Sequence, residues 1–222
     1  MKAIITTSTD LDKFPIFEPA QISNNFDYYI YTNSMNIYNV CKNKNWRIIV
    51  DINKDIDNKK QSRLIKIKTH IFLPNYDSYL YIDSKFTHIP FNIDAWFDEQ
   101  KLKDYDLVLM RHPKRNCVYS EGRAIISAQL DTMKIINKQL DQYKSEGMPE
   151  RYGLWAPGIC FKKNTTAVNE FMELWWKEIQ KYSHRDIPSF SYCKWKYADL
   201  FNQIKFKDID FRETTKLFYG NF

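Results

Sequence analysis

The sequence predicts an α/β domain built on a mostly parallel central sheet flanked by helices. Two observations carry that expectation. Short apolar runs are bounded by polar or turn-forming residues, which fits strands covered on both faces. Longer stretches of the second half carry apolar residues at steps of three and four, the mark of amphipathic helices. Strands early with helices interleaved give the α/β class. With 222 residues and 44% hydrophobic content the chain can bury a proper core, and residues 1–222 read as one domain.

The elements follow in order. The segment Met1–Thr7 has too short an apolar stretch, and no cleavage-like site, to be a signal peptide, so Ala3–Thr7 reads as a first buried strand. Tyr28–Thr32, Arg47–Val50, Tyr79–Ile82 and Leu107–Met110 read as further strands. From Ser120 to Glu146, Ile126, Leu130, Met133, Ile136, Leu140 and Tyr143 mark one face of a helix or of two consecutive helices, stopped by Gly147 and Pro149. The segment Gly153–Ile159 reads as a tight loop between short strands. Gly158 in it allows either close backbone approach to a ligand or an ordinary turn. A second amphipathic helix is expected over Thr165–Tyr182, capped by Asn164. Its Trp175-Trp176 pair reads as core, since large aromatics at helical spacing are usually buried. The stretch Lys205–Phe222 receives no assignment.

Composition excludes several classes. The five glycines are Gly122, Gly147, Gly153, Gly158 and Gly220, and none lie close enough for a P-loop or a dinucleotide fingerprint. A nucleotide would have to be held by side chains or a cation. No apolar run approaches the roughly 18 residues of a membrane span. Cys41, Cys117, Cys160 and Cys193 form no close pair, which argues against zinc; a reduced intracellular chain with buried cysteines is expected, although spacing alone leaves disulfides open. The net charge of +6 points to an anionic partner: nucleic acid, a phosphorylated small molecule or a membrane surface.

Four constellations can carry chemistry. The run Tyr79–Ile82 ends in Asp83, where a parallel sheet places ligands. A carboxylate there can hold Mg²⁺ or Mn²⁺ against a diphosphate, or merely cap the next turn, and the residues alone leave both open. Lys85, two positions on, can neutralise phosphate directly but cannot ligate a metal while protonated. Arg111-His112-Pro113-Lys114-Arg115 follows the strand Leu107–Met110 and offers bidentate guanidinium contacts and a point charge for a diphosphate, with His112 a metal ligand or phosphate donor. Ser183-His184-Arg185-Asp186-Ile187-Pro188 reads as a helix start with Pro188 in its first turn; Asp186 there can bind a sugar hydroxyl or accept its proton. Gly153–Ile159, described above, is the fourth.

Taken together these segments resemble one family, the glycosyltransferase-like family formerly labelled domain of unknown function 616, with plant cell-wall and mucilage-related members. They are also similar to the small capsid-sugar glycosyltransferase domains of large algal viruses. The matching stretches run in order: Tyr76-Asp77 through Ile82-Asp83-Ser84-Lys85, Arg111 through Tyr119, Glu146-Gly147-Met148-Pro149, Leu174-Trp175-Trp176 with Glu178-Ile179, and Arg185-Asp186 with Ser189-Phe190. They cover roughly 63–192. The resemblance implies a GT-A-type nucleotide-diphospho-sugar fold, with Asp83 at a metal–diphosphate site and the Arg111 block and Arg185-Asp186 lining the cleft. Departures are Ser84 for glycine, Ser120 for glutamate, and Ile187-Pro188 where the family has Gln-Leu.

The expected function is transfer of a hexosyl or deoxyhexosyl group from a nucleotide-diphosphate donor, a UDP-sugar foremost, to a hydroxyl of a glycan or glycoprotein. Lys85, Arg111, His112, Lys114, Arg115, Gly158 and Arg185 are the expected donor-binding residues. Asp83 is the expected ligand of Mn²⁺ or Mg²⁺. Asp186, with Glu121 second, is the expected catalytic carboxylate. The expected compartment is the cytoplasm, that of the host cell if the chain is viral, with no transmembrane segment and no nucleic-acid partner. A basic nucleic-acid-binding domain and an inactive glycosyltransferase-like scaffold are the competing readings.

Overall fold

The computed structural model describes residues 1–9, 22–42, 44–51, 56–86 and 92–219. Among these, seven strands form one sheet: β1 (Lys2–Thr7), β2 (Phe26–Thr32), β3 (Arg47–Val50), β4 (Ser78–Ile82), β5 (Leu107–Arg111), β6 (Trp155–Lys163) and β7 (Phe206–Ile209). Their order is β3-β2-β1-β4-β6-β5-β7. β1 pairs in parallel with β2 and β4, β2 with β3, and β5 with β7. β6 is antiparallel to both of its neighbours, β4 and β5. The carboxyl ends of the parallel strands and the amino end of β6 therefore share one edge. Asp83, which follows β4, and Arg111, which ends β5, both lie on it.

The helices are α1 (Met35–Cys41), α2 (Asn58–Phe72), α3 (Ile93–Glu99), α4 (Val118–Ser127), α5 (Met133–Ser145), α6 (Thr166–Lys181), α7 (Asp186–Lys196), α8 (Ala198–Phe201) and α9 (Phe211–Tyr219). They sandwich the sheet. On one face α2, α6 and α7 bring Leu64, Ile67, Phe171, Trp175 and Phe190 against Tyr79, Tyr81 and Leu109. On the other, α3 and α9 bring Trp96, Phe97 and Phe218 against Ile4, Leu80, Val108 and Phe161. β1, β4 and most of β5 are buried along their length, which is why they read as continuous apolar runs.

The α/β architecture and the mostly parallel sheet match the expectation, and so do the five anticipated strands, within two residues at their ends. The apolar face over 120–146 belongs to two helices, α4 and α5, and the Thr132 side chain caps the second by accepting from Ile135 N. The cap of α6 is Thr165, which accepts from Val168 N. Asn164 instead donates to the carbonyls of Pro74 and Tyr76 and so ties α6 to the start of β4. The segment expected as a loop between short strands is largely the first half of β6, a nine-residue strand. Its register with β5 jumps between Leu109 and Met110, and residues 157–159 bulge there. The unassigned carboxy-terminal stretch supplies β7 and α9. Trp175 and Trp176 are core, and the four cysteines are buried and form no disulfide. Among the described residues no helix is long and apolar enough to cross a membrane.

Candidate active site

A cavity of about 290 Å³ opens at the carboxyl edge of the sheet. It is lined by Thr7 from β1, the turn Asp83-Ser84-Lys85 after β4, Ala156-Pro157-Gly158 from the bulge of β6, Arg63 from α2, and Arg185-Asp186-Ile187 at the start of α7. Its position outside strand ends is where open α/β sheets hold ligands, and its size is at the lower end of small-molecule sites, roughly 300 Å³.

Each side chain has a local cause for its place. Asp83 N donates to Gly158 O at 2.8 Å, and Phe86 N donates back to Asp83 O at 3.0 Å, closing the turn. Gly158 lets the carboxylate come close. A Cβ at that position would sit 2.9 Å from Asp83 Oδ2 and 3.0 Å from the Phe86 ring. The close approach expected at Gly158 is thus made by this protein's own Asp83 and Phe86. Asp186 is the first residue of α7, where the helix dipole favours a carboxylate. That turn is pinned to α6: Ser189 Oγ donates to Asp186 O, and Trp175 Nε1 donates to Ser189 Oγ at 3.0 Å.

The two carboxylates are joined by a lysine that the sequence reading did not single out. Lys66 of α2 is 1% exposed, and its Nζ lies 2.9 Å from Asp83 Oδ1 and 2.7 Å from Asp186 Oδ2, above the ring of Tyr81. Arg63, one turn earlier on α2, places Nε 3.5 Å from Asp186 Oδ2. Lys85 Nζ lies 3.7 Å from Asp83 Oδ2. Burial alone would raise both carboxyl groups. For Asp83 the charges of Lys66, Lys85 and Arg63 outweigh it and hold the group below the usual aspartate range. For Asp186, Lys66, Arg63 and Arg185 likewise outweigh burial and hold the group low.

Helix α2 is shaped to bring Lys66 there. Asp57 caps it, accepting from Lys59 N and Lys60 N. Gln61 donates to Asp51 O at 2.6 Å and accepts from Asn33 Nδ2, which fixes the first turns over the sheet edge. The backbone leaves helical geometry at Lys68. Beside that kink the buried Lys162 of β6 donates to the carbonyls of Lys66 and Ile67 at 2.5 and 2.7 Å. Those two acceptors keep Lys162 satisfied without a carboxylate, and burial pulls its pKa down to about 8.

Of the expected residues, the cavity brings together Asp83, Lys85, Gly158, Arg185 and Asp186. Arg111, His112, Lys114, Arg115 and Glu121 lie outside its lining, further along the same sheet edge. Arg111 donates through Nε and Nη2 to Asp208 Oδ2 of β7, at 2.9 and 2.6 Å. His112 Nδ1 accepts from the backbone of Lys114 and Arg115, so the ring shapes the turn. Burial and the neighbouring cations hold His112 below its ordinary pKa despite Glu121. The buried Glu121 takes the Arg115 Nε–H at 2.5 Å. Lys114 is exposed.

The donor set bears directly on a metal. Among the described residues the cavity holds two carboxylates, and an ammonium already sits between them. Among the described residues no cluster of three or more His, Cys, Asp or Glu side chains is arranged to hold a metal ion. A divalent cation in such sites takes several oxygen ligands, with at least one or two carboxylates from the protein. The residues present do not fit one between Asp83 and Asp186.

Comparison with known proteins places this geometry. The family described as TOD1/MUCI70, glycosyltransferase-like domain, matches residues 24–220. The chain belongs to that family. The TOD1/MUCI70 match covers Asp83, Lys85, Gly158 and Asp186 along with Lys66. A relative, the probable hexosyltransferase MUCI70 of Arabidopsis thaliana, is 27% identical over 164 residues, 69% of this chain. The match spans 28% of that relative's length. Mouse xyloside xylosyltransferase 1, in its apo form, superposes with a TM-score of 0.50 at 9% identity, covering 99% of this chain and 94% of the other. The fold of this TOD1/MUCI70 domain is thus GT-A-like.

Proposed function

We propose that the chain is a glycosyltransferase that moves a hexosyl or deoxyhexosyl group from a nucleoside-diphosphate sugar, a UDP-sugar foremost, to a hydroxyl of a glycan or glycoprotein acceptor. The observation that carries this reading is the cavity at the carboxyl end of β4. There Arg63, Lys85 and Arg185 surround two ionised carboxylates held by Lys66. Membership of a glycosyltransferase-like family and the name of the Arabidopsis relative support the same reaction class.

The chemistry asks for what these residues supply. As the bond to the sugar breaks, negative charge builds on the leaving diphosphate and positive charge on the anomeric carbon. Arg63, Lys85 and Arg185 stabilise the first from fixed positions. Asp186 and Asp83 favour the second. Asp186 is held below the ordinary aspartate range by the cations around it, and its Oδ2 already faces Lys66 at 2.7 Å and Arg63 at 3.5 Å. It serves better as an acceptor for a sugar hydroxyl, fixing the reacting ring, than as a proton acceptor in the transition state.

The test is release of nucleoside diphosphate from a panel of UDP- and GDP-hexoses, with glycan acceptors added. One donor class should turn over. Asp186→Asn should reduce that turnover on the order of 100-fold, the size of losing one preorganised electrostatic partner. Absence of release from every donor, by a folded protein, would contradict the reading.

A further inference from the structure

Among the described residues, the site gathers four cations, Arg63, Lys66, Lys85 and Arg185, around two carboxylates, Asp83 and Asp186. The diphosphate of a nucleotide sugar carries one negative charge on each phosphoryl group. A metal shared by Asp83 and Asp186 would have to displace the Lys66 ammonium, which is buried and pairs with Asp186 Oδ2 at 2.7 Å and Asp83 Oδ1 at 2.9 Å, and a metal on Asp83 Oδ2 alone would meet the Lys85 ammonium, 3.7 Å from that oxygen. Displacing Lys66 would leave a buried charge unpaired, which is costly. The Lys66 side chain is 1% exposed, so moving it into solvent would also break its packing over the Tyr81 ring.

We propose that this site binds the donor diphosphate without a divalent cation. Lys66 is a fixed internal charge between Asp83 and Asp186, and Arg63, Lys85 and Arg185 neutralise the diphosphate directly. The inference rests on the nucleotide-sugar reading above and specifies how that site handles charge. Lys66 keeps both carboxylates ionised and in place, which makes it a positioning residue. Lys85 and Arg185 face the cavity with exposed or half-buried head groups, and Arg63 carries a planar fork suited to phosphate oxygens.

The experiment is calorimetric binding of UDP, and of GDP in parallel, to the whole chain in EDTA and again with excess Mn²⁺. The expected result is binding of at least one of them with affinities that agree within about threefold between the two conditions, a difference of under 1 kcal/mol. Lys85→Ala, at a side chain that is 42% exposed, should weaken that binding about tenfold, the loss of one charge-assisted contact. Titration of Mn²⁺ alone, followed by the electron paramagnetic resonance of the free ion, should show no stoichiometric site. Nucleotide binding that appears only with Mn²⁺, or a stoichiometric Mn²⁺ site in the chain, would overturn the inference and leave the glycosyltransferase reading standing. No binding of either nucleotide in either condition would overturn both.

Discussion

Lys66 decides how the site behaves at the scale of single residues. It is a buried cation whose desolvation is offset by two carboxylates at once, and each carboxylate depends on it in turn. Lys66→Met keeps the length of the side chain and removes the charge. It should lower stability by about 3–5 kcal/mol in a denaturant titration, the range for breaking one side of a buried ion pair. The pH dependence should change sign as well. In the native protein both aspartates titrate below the unfolded value. Their contribution is therefore complete above about pH 4 and fades as the pH falls through the folded values. In the variant, burial pushes the two carboxyls up, so the folded state takes up protons more readily than the unfolded one. Lys66→Met should gain stability as the pH drops from roughly 6 to 4, and the native protein should not. Lys66 was hard to read in the sequence for a physical reason. It stands in Leu64-Ile65-Lys66-Ile67-Lys68, where alternation of apolar and charged residues resembles a solvated face or an edge strand. The usable signal was Arg63 and Lys66 three residues apart beside apolar neighbours, two cations on one turn of a buried helix.

At the scale of elements, α2 and β6 do the positioning. β6 carries both Gly158, which makes room for Asp83, and Lys162, whose ammonium takes the carbonyls left beside the kink of α2. Lys162 is depressed to about 8 from 10.5 by burial, so between those values the unfolded chain binds more protons than the folded one. The Lys162 contribution to stability should accordingly rise with pH across that interval, against the opposite contribution of the buried Cys160 thiol, which burial pushes up to about 11. Lys162→Met should abolish the rise and also lower nucleotide affinity, because the kink that aims Lys66 loses its partner. A native profile that Lys162→Met leaves unchanged between those pH values would contradict the role. These elements were also the less legible ones. β1, β4 and β5 announce themselves because both faces are covered. β6 is interrupted by Pro157-Gly158 at its bulge, and β7 is a half-exposed edge strand, Phe206-Lys207-Asp208-Ile209, with neither a continuous apolar run nor a clean alternation. The carboxylates at the ends of β4 and at the start of α7 were readable because strand ends and helix starts have recognisable local chemistry.

At the scale of the whole molecule, the described residues concentrate positive charge at two places on one sheet edge. One is the cavity with Arg63, Lys66, Lys85 and Arg185. The other is the Arg111–Arg115 block beyond β6. Along the chain the Arg111–Arg115 block stands out more, since its cations are nearly consecutive. Folding reverses that order: Arg111 is taken by Asp208 and Arg115 by Glu121, whereas the cavity gathers cations from three separate elements. Proximity in the chain is a poor guide to proximity at a site assembled by a parallel sheet, where each strand end delivers one or two groups. The central claim is that the donor diphosphate sits among the cavity cations. It is tested most directly by a crystal structure of the chain with bound UDP. The phosphate oxygens should lie within hydrogen-bond or ion-pair distance of Lys85, Arg63 and Arg185, with Lys66 still between Asp83 and Asp186. A diphosphate bound instead at Arg111, Lys114 and Arg115, away from the cavity, would contradict the account.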